Sequence, residues 1–143
     1  MSVIALSLPH SDERLARGVR QWRVAGKLFV WERPLRPGEV RELGELAPQG
    51  AILAARVEHL MAKEALLASE PELFFTTSHF DGHPSVLARL ERIDEEMLRE
   101  VVIEAWLARA PAKLASAYLE ERGEDGGRGS LGAAVERGAD DGR

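Results

Sequence analysis

Residues 21–32 place the strongest constraint on how this chain can fold. They hold two runs rich in aromatic and β-branched side chains, separated by Ala25-Gly26. This arrangement is typical of two antiparallel strands joined by a tight turn. A two-residue turn would set Trp22 opposite Phe29 on the neighbouring strand. The chain is therefore predicted to build an antiparallel sheet around a β-hairpin.

The remaining sequence alternates between strand-like and helix-like patterns. The clearest helix begins at Asp94, which suits an N-cap, and Glu95 and Glu96 lie at the positive end of its dipole. Ala110-Pro111 is expected to end it. Further strands are predicted over 51–57 and 85–91, and further helices over 38–46, 60–68 and 111–122. Together these elements predict an α+β fold with two layers, an antiparallel sheet packed by helices on one face.

A change of composition after residue 122 marks the expected end of the folded unit. The chain has 143 residues, the size of one domain. Residues 123–143 hold seven glycines among charged residues, with Leu131 and Val135 as the sizeable apolar side chains. Such a segment buries too little apolar surface to offset its ordering entropy. We predict one domain over residues 1–122 and a disordered, glycine-rich charged tail over 123–143.

The cysteine count and the length of the apolar runs exclude several classes of protein. The chain has no cysteine, which excludes disulfide scaffolds, thiolate zinc sites and cysteine nucleophiles. No apolar run approaches the ~18–20 residues that cross a bilayer. The short apolar run at the start has no basic residue before it, unlike a secretory signal. These features predict a cytoplasmic protein without membrane contact.

Residues 79–84, His-Phe-Asp-Gly-His-Pro, form the densest polar motif. His79, Asp81 and His83 could supply nitrogen and oxygen ligands to a metal ion, but Gly82 and Pro84 favour a turn. We prefer a turn whose histidines pack or cap, and predict no metal site. Nucleophile and phosphate-loop motifs such as GxSxG and GxxxxGK[ST] are absent from the sequence. The sequence therefore predicts no enzyme, no catalytic residue and no cofactor.

The distribution of charge points to a different activity. The formal net charge is −5, which argues against nucleic-acid binding. Residues 14–41, however, hold eight Lys or Arg against two Glu, a local charge of +6, interleaved with Trp22, Phe29 and Trp31. Arginine binds phosphate in bidentate fashion and aromatic rings stack on bases. The alternative is that these arginines pair with acidic residues and that the tryptophans belong to the core.

On this basis we predict weak, non-specific contacts to DNA phosphates through a basic hairpin region. The central contacts would be Arg20, Arg23 and Lys27. The full predicted set is Arg14, Arg17, Arg20, Arg23, Lys27, Arg33 and Arg36. A second hypothesis is a small-molecule or protein-interaction module with a pocket in residues 74–83. That pocket would be lined by Phe74, Phe75, His79 and Phe80.

Several segments, taken in order, resemble the MmcQ/YjbR family over nearly all of residues 3–120. The matching motifs are Leu8-Pro9 with Asp12-Glu13, Trp22 to Phe29, Lys63 to Leu67, Phe74 to Thr77, His79 to Gly82, Val86 to Leu90, Ile93, Ala105-Trp106 and Ala110-Pro111. The resemblance implies a compact, bacterial α/β domain with the CyaY-like (frataxin-like) double-wing topology. It also implies the description "DNA-binding protein", and it supplies no catalytic residues.

Two features depart from the family pattern. The residues after 122 lie outside the resemblance, and so does the stretch from Pro34 to Gly50, where many members connect their strands more directly. The likeness to frataxins would imply iron binding by acidic residues along the first helix. Only Asp12 and Glu13 lie near that region, and basic residues follow at once. We therefore predict no iron site.

Overall fold

A computed structural model describes residues 1–124 of the chain. The predicted tail begins at residue 123; residues 123 and 124 belong to the last helix, and its remainder, residues 125–143, lies outside the described residues. The strands are β1 (Ser11–Ala16), β2 (Val19–Val24), β3 (Lys27–Glu32), β4 (Ile52–Arg56), β5 (Phe74–Phe75) and β6 (Ser85–Arg89). The helices are α1 (Ser2–Leu6), α2 (Pro37–Leu43), α3 (Leu60–Ser69), α4 (Glu95–Arg109) and α5 (Ala112–Glu124). Short 3-10 turns lie at Gly44–Leu46 and Ser78–Phe80.

The strands form one six-stranded sheet in the order β1-β2-β3-β4-β6-β5, and every pairing is antiparallel. This confirms the predicted α+β class and antiparallel sheet. Asp94 caps α4 as predicted, because its Oδ1 accepts a hydrogen bond of 2.8 Å from the amide of Met97. Within residues 1–124, no helix is both long enough and apolar enough to cross a bilayer.

The predicted hairpin is present, and a bulge changes its register. Ala25 and Gly26 have φ of 50° and 83°, so both residues of the turn are left-handed, as a two-residue turn of this kind requires. Beyond the turn, Trp22 lies opposite Val30 and not opposite Phe29 as predicted. The extra residue in β3 lets Phe29 and Val30 both enter the same core cluster. The predicted cross-strand pair was therefore wrong by one residue.

The larger core lies on the face of the sheet that α4 covers. Its largest side chains, Trp22 and Trp106, have no exposed surface. The indole N–H of Trp106 donates to the carbonyl of Pro9 at 3.0 Å, and that of Trp22 donates to Glu13 at 2.8 Å. Both polar atoms are thus satisfied, and two aromatic rings with the Val101–Val102 pair of α4 form one apolar layer.

The other face of the sheet carries a second, smaller core, so the prediction of helices on one face was incomplete. Ala54 of β4 and Leu87 of β6 point to this face, and both are fully buried. Strands that are apolar on both sides must be covered on both sides. The segment from Leu35 to Leu43 and the turn around Phe80 supply that cover at the β4–β6–β5 side of the sheet.

Candidate functional site

An open groove runs along β3 on the second face of the sheet, beside the smaller core. Its cavity volume is about 710 Å³. One wall is formed by residues 33–36, which precede α2, and by the turn around Phe80, and the floor is formed by β2 and β3. The residues that line it are Ala16, Arg17, Val19, Gln21, Leu28, Trp31, Glu32, Arg33, Pro34, Arg36, Arg56, His79, Phe80, His83 and Arg109.

Strand register places the basic residues at the two ends of this groove. Arg17 occupies the turn between β1 and β2, at the end of the sheet where β3 finishes, and Arg36 follows β3 closely in sequence. Arg56 ends β4 at the opposite end of the sheet, beside the start of β3. Arg109 joins it there, since its Nε donates to the carbonyl of Leu28 at 3.3 Å.

The groove is strongly electropositive. Among the lining residues in the described part of the chain, five are arginines and only Glu32 is a carboxylate. Burial lowers the pKa of Arg56, and the nearby charge of Arg109 lowers it further. The Nε of Arg56 is buried without a hydrogen-bond partner within residues 1–124. Two guanidinium groups that repel each other form a site suited to an anion.

His83 lies in the same positive field. Burial lowers the pKa of its imidazole, and the charges of Arg56, Lys63, His79 and Arg109 lower it further. An anion bound between these groups would reverse part of that effect, because it would favour the protonated ring.

Trp31 is the aromatic surface of the groove. The chain has three tryptophans, and Trp22 and Trp106 are fully buried in the larger core. Trp31 is partly buried, because one side of it packs against the smaller core while it also lines the groove. The bulge in β3 makes this possible, because it places Trp31, which follows the two consecutive core residues Phe29 and Val30, on the groove side where Leu28 also lies.

A buried lysine fixes the wall of the groove. Lys63 of α3 donates hydrogen bonds from Nζ to the carbonyls of Phe80 at 2.6 Å and of His83 at 2.9 Å. Burial lowers its pKa, and the charge of Asp81 opposes that effect in part. The loop that carries His79 and His83 is thus tied to α3 through backbone carbonyls, and both imidazoles stay free to face a ligand.

A buried ion pair fixes the part of the groove wall that leads from β3 into α2. Arg33 makes two hydrogen bonds of 2.9 Å to the carboxylate of Glu39, which also accepts from the hydroxyl of Thr77 and the amide of Arg36. Burial alone would raise the pKa of Glu39, but these donors outweigh it and lower the pKa to about 2. The pair joins β3, α2 and the residue 77 loop around the groove.

Comparison with known proteins identifies the family. The family model YjbR matches residues 6–108 of the chain. The chain belongs to the YjbR family. Uncharacterised proteins of Mycobacterium bovis and Mycobacterium tuberculosis are 47% identical to this YjbR chain over 105 residues, which cover 71% of it and 81% of each relative. This confirms the resemblance to the MmcQ/YjbR family.

A solved structure supports the fold of this YjbR chain. A crystal structure of a Deinococcus radiodurans protein, described as a DUF419 domain, superposes with a TM-score of 0.52. The match covers 73% of this chain and 72% of the other, at 16% sequence identity. At that identity the likeness concerns the fold alone.

The predicted basic residues of this YjbR domain do not all reach the groove. Arg17 and Arg36 line it, and both are exposed. Arg14 and Arg23 lie on the same side of the sheet as the lining residues two positions away from them. Lys27 is exposed beside the hairpin turn.

Four of the predicted phosphate contacts are engaged within the protein. Arg14 lies 3.8 Å from Asp12, and Arg23 donates to Gln21 and to the carbonyl of Gly26. Arg33 is only 8% exposed and donates to Glu39 and to the carbonyl of Pro34, so it holds the wall. Arg20 lies on the α4 side of the sheet, between Glu13 at 3.7 Å and Glu32 at 3.8 Å. These internal partners weigh against Arg20 as a central contact and Arg33 as a flanking one, and the contacts with DNA stay a prediction.

The predicted aromatic pocket is also divided by the sheet. Phe74 belongs to the larger core and Phe75 to the smaller one, because successive strand residues face opposite sides. Both rings are buried, so they line no common pocket. Phe80 and His79 do line the groove, where they meet the basic residues that the sequence assigned to a separate function.

Sequence reasoning missed Arg56, His83 and Arg109 as parts of a basic site. The count of local charge ended at residue 41, and these residues come from a strand, a loop and a helix far along the chain. The pairing of β3 with β4 brings Arg56 to the groove, the pairing of β4 with β6 brings the loop of His83, and the contact of α4 with β3 brings Arg109. Among residues 1–124, no group of three His, Asp or Glu side chains is arranged to hold a metal ion.

Proposed function

We propose that this YjbR protein binds DNA without catalysing a reaction, through weak contacts between phosphates and its basic groove. The observation that carries the proposal is the lining of that groove, where Arg17, Arg36, Arg56 and Arg109 meet one carboxylate, Glu32. The fork of guanidinium N–H groups matches phosphate oxygens, and such contacts carry no sequence information. Arg14, Arg23 and Lys27 extend the positive surface toward the hairpin.

The proposal moves the centre of binding from the hairpin to the groove. Arg20 has two acidic neighbours, whereas Arg56 has a second arginine beside it. A cation without a counter-charge gains more from a phosphate than one that must first leave a carboxylate. The groove arginines should therefore contribute more affinity than Arg20.

We extend the proposal to the topology of the sheet and to the location of the protein in the cell. We propose that the six-stranded sheet has the CyaY-like double-wing topology, and that the protein works in the bacterial cytoplasm. The first is supported by an antiparallel sheet with a long helix packed on one face. Superposition on a frataxin structure tests it, and a TM-score below about 0.5 would reject the topology. Cell fractionation tests the location.

Salt dependence of binding tests the function directly. Fluorescence anisotropy of a labelled oligonucleotide at low salt should show binding at micromolar protein. With about four phosphates engaged, log affinity should fall with log salt at a slope of about −3.6 for duplex or about −2.8 for single strands. The triple variant Arg17→Gln, Arg36→Gln and Arg56→Gln should make that slope shallower by about two or more.

The matched control removes three exposed cations far from the groove. Arg92→Gln, Arg99→Gln and Lys113→Gln change the net charge by the same amount, and all three side chains are exposed. Their triple variant should keep the slope of the wild-type protein to within about one. Absence of any DNA binding at micromolar protein, or equal losses in both triple variants, would reject the proposed function.

A second candidate is binding of a small anionic molecule in the same groove. What favours it is the concave shape, since about 710 Å³ falls within the usual range of small-molecule pockets, ~300–1,000 Å³. Thermal-shift measurements with phosphorylated and unphosphorylated metabolites separate the two functions. A shift with one phosphorylated metabolite and none with DNA would favour this candidate.

A further inference from the structure

We propose that the groove takes single-stranded DNA, with one base stacked on Trp31 and neighbouring phosphates held by the arginines at its ends. The inference rests on the proposed function and adds the form of the nucleic acid. It is carried by the position of one aromatic ring inside a cationic groove. A positive channel combined with an aromatic platform is the arrangement by which proteins bind single strands without sequence preference.

The partial burial of Trp31 discriminates against a double helix. The ring packs on the smaller core, while Arg17 and Arg36, which form the exposed rim of the same groove, are open to solvent. A duplex presents phosphates on its convex outside and keeps the faces of its bases stacked on each other. It could reach the rim arginines, but it has no free base for Trp31. A single strand can turn one base inward while its backbone follows the rim.

The charges are spaced for a short piece of backbone. The β3 residues that line the groove run from Leu28 to Glu32, so its floor extends over about 13 Å. Arginines stand at both ends of that distance, and Trp31 lies near the end that carries Arg17 and Arg36. A site of this length holds about four nucleotides, the lower end of the range for single-strand modules.

The polar groups beside Trp31 can hydrogen-bond to the edge of a base without selecting one kind of base over another. Gln21 lies directly opposite Trp31 across the β2–β3 ladder, and both line the groove. The Oε1 of Gln21 accepts a hydrogen bond of 3.0 Å from Arg23, which holds its amide in place. The Gln21 amide beside the Trp31 ring can add a hydrogen bond to a base but distinguishes poorly between bases, so we expect binding that depends little on the DNA sequence.

The experiment compares three ligands with the same number of phosphates. They are an oligothymidylate of about ten nucleotides, a duplex of matched phosphate count, and an abasic oligonucleotide of the same length. Wild-type protein should bind the oligothymidylate at least about tenfold more tightly than either of the others, because only that strand offers free bases. Since Trp22 and Trp106 are fully buried, base stacking should quench the fluorescence of Trp31 selectively.

Two variants test the role of the ring. Trp31→Leu should weaken binding of the oligothymidylate by about tenfold and leave binding of the abasic strand unchanged. Trp31→Phe keeps an aromatic face and should retain most of the affinity. If Trp31→Leu fails to fold, the Trp31→Phe variant and the abasic comparison in the wild-type protein still test the inference.

The outcomes separate the inference from the function on which it rests. Equal or tighter binding of the duplex, or equal binding of the abasic strand, overturns the single-strand inference and leaves DNA binding standing. No binding of any of the three ligands overturns the proposed function itself. Loss of abasic binding in folded Trp31→Leu also overturns the inference, because it would mean that the ring supports the arginines and stacks on nothing.

Discussion

At the scale of single residues, the Arg33–Glu39 pair determines how the groove wall is held. Both side chains are buried, and the carboxylate receives four hydrogen bonds from three residues. A buried charge is tolerated only when it is paired and hydrogen-bonded, as this one is. Removing one member therefore exposes the full cost of burying the other.

We expect Glu39→Gln to destabilise the protein by about 3 kcal/mol at pH 7, because Arg33 would keep its charge without a counter-ion. The pKa of Glu39 is about 2 when folded, against an ordinary value of 4.5. Its contribution is therefore complete above pH 4.5 and is lost as the pH falls toward 2. Urea denaturation followed by circular dichroism should show a smaller difference between variant and wild type at pH 3 than at pH 7.

The exposed Glu45 supplies the control for that measurement. Glu45→Gln makes the same chemical change at the surface and should alter the free energy of unfolding by less than about 0.5 kcal/mol. If Glu39→Gln proved as stable as Glu45→Gln at pH 7, the ion pair would not support the wall as described.

At the scale of secondary-structure elements, two-residue turns shape the first half of the sheet. Arg17-Gly18 and Ala25-Gly26 both have positive φ at both positions, so β1, β2 and β3 are joined by turns of the same kind. These turns match the right-handed twist of the strands they connect. An alanine at such a position is strained, since its Cβ crowds the following carbonyl.

We expect Ala25→Asn to stabilise the protein by about 0.5–1 kcal/mol, because asparagine tolerates the left-handed conformation better than alanine. Gly26→Ala should have the opposite sign, with a loss of about 1 kcal/mol. No heavy atom lies within 4 Å of the Cβ it would add, so that loss would be conformational and not steric. Urea denaturation followed by tryptophan fluorescence measures both, and a destabilised Ala25→Asn would contradict the turn assignment.

Lys63 holds the loop of residues 78–83 in place through two hydrogen bonds. Lys63→Met removes the two donors that hold the carbonyls of Phe80 and His83, and we expect a loss of about 1–3 kcal/mol. Hydrogen exchange of the amides in residues 78–83 should accelerate more than exchange elsewhere. Lys113→Met, at an exposed position of α5, should change neither quantity. Unaltered hydrogen exchange of residues 78–83 in Lys63→Met would show that the loop does not depend on these two hydrogen bonds for its stability.

Local patterns in the sequence explain which elements could be predicted. The hairpin and α4 have strong local signals, turn residues in the first case and an N-cap with acidic neighbours in the second. β1 has the sequence Ser-Asp-Glu-Arg-Leu-Ala and is largely exposed, so no apolar alternation marks it. Only the Arg17-Gly18 dipeptide, which parallels Ala25-Gly26, could have indicated it. β5 has two residues, too few for any periodic signal.

The site was predictable only in parts, because its parts come from distant segments. A basic segment and an aromatic, histidine-containing loop were both visible in the sequence, but as two competing hypotheses. The pairings of β3 with β4 and of β4 with β6 place them in a single groove, to which β4 adds Arg56 and α4 adds Arg109. Arg33 can be buried because it pairs with Glu39, six residues later in the chain. A count of charges along the sequence registers Glu39 only as one negative charge and does not reveal this pairing.

At the scale of the whole molecule, an acidic protein presents one basic face. The net charge of −5 is distributed so that the groove keeps five arginines and one carboxylate among its described lining residues. Long-range attraction of a polyanion is therefore weak, and short-range contacts in the groove must supply most of the affinity. Binding should depend on conditions that alter the groove itself, pH among them.

We expect affinity for DNA to rise as the pH falls from neutral toward the lowered pKa of His83, because phosphates favour the protonated form of this ring. The double variant His79→Gln and His83→Gln should flatten this dependence. His10→Gln, at an exposed position that does not line the groove, should retain it. Anisotropy titrations between pH 5.5 and pH 8 at constant ionic strength measure the effect, and affinity independent of pH would contradict it.

The position of β1 at the edge of the sheet has a consequence for the protein at high concentration. An edge strand leaves a row of backbone donors and acceptors that another chain could extend into a continuous sheet. Here Asp12, Glu13 and Arg14 follow one another along that edge, and all three are exposed. A second copy could add a strand only by burying these charges or setting them against its own. We therefore expect the charged edge strand β1 to disfavour self-association and aggregation through strand addition.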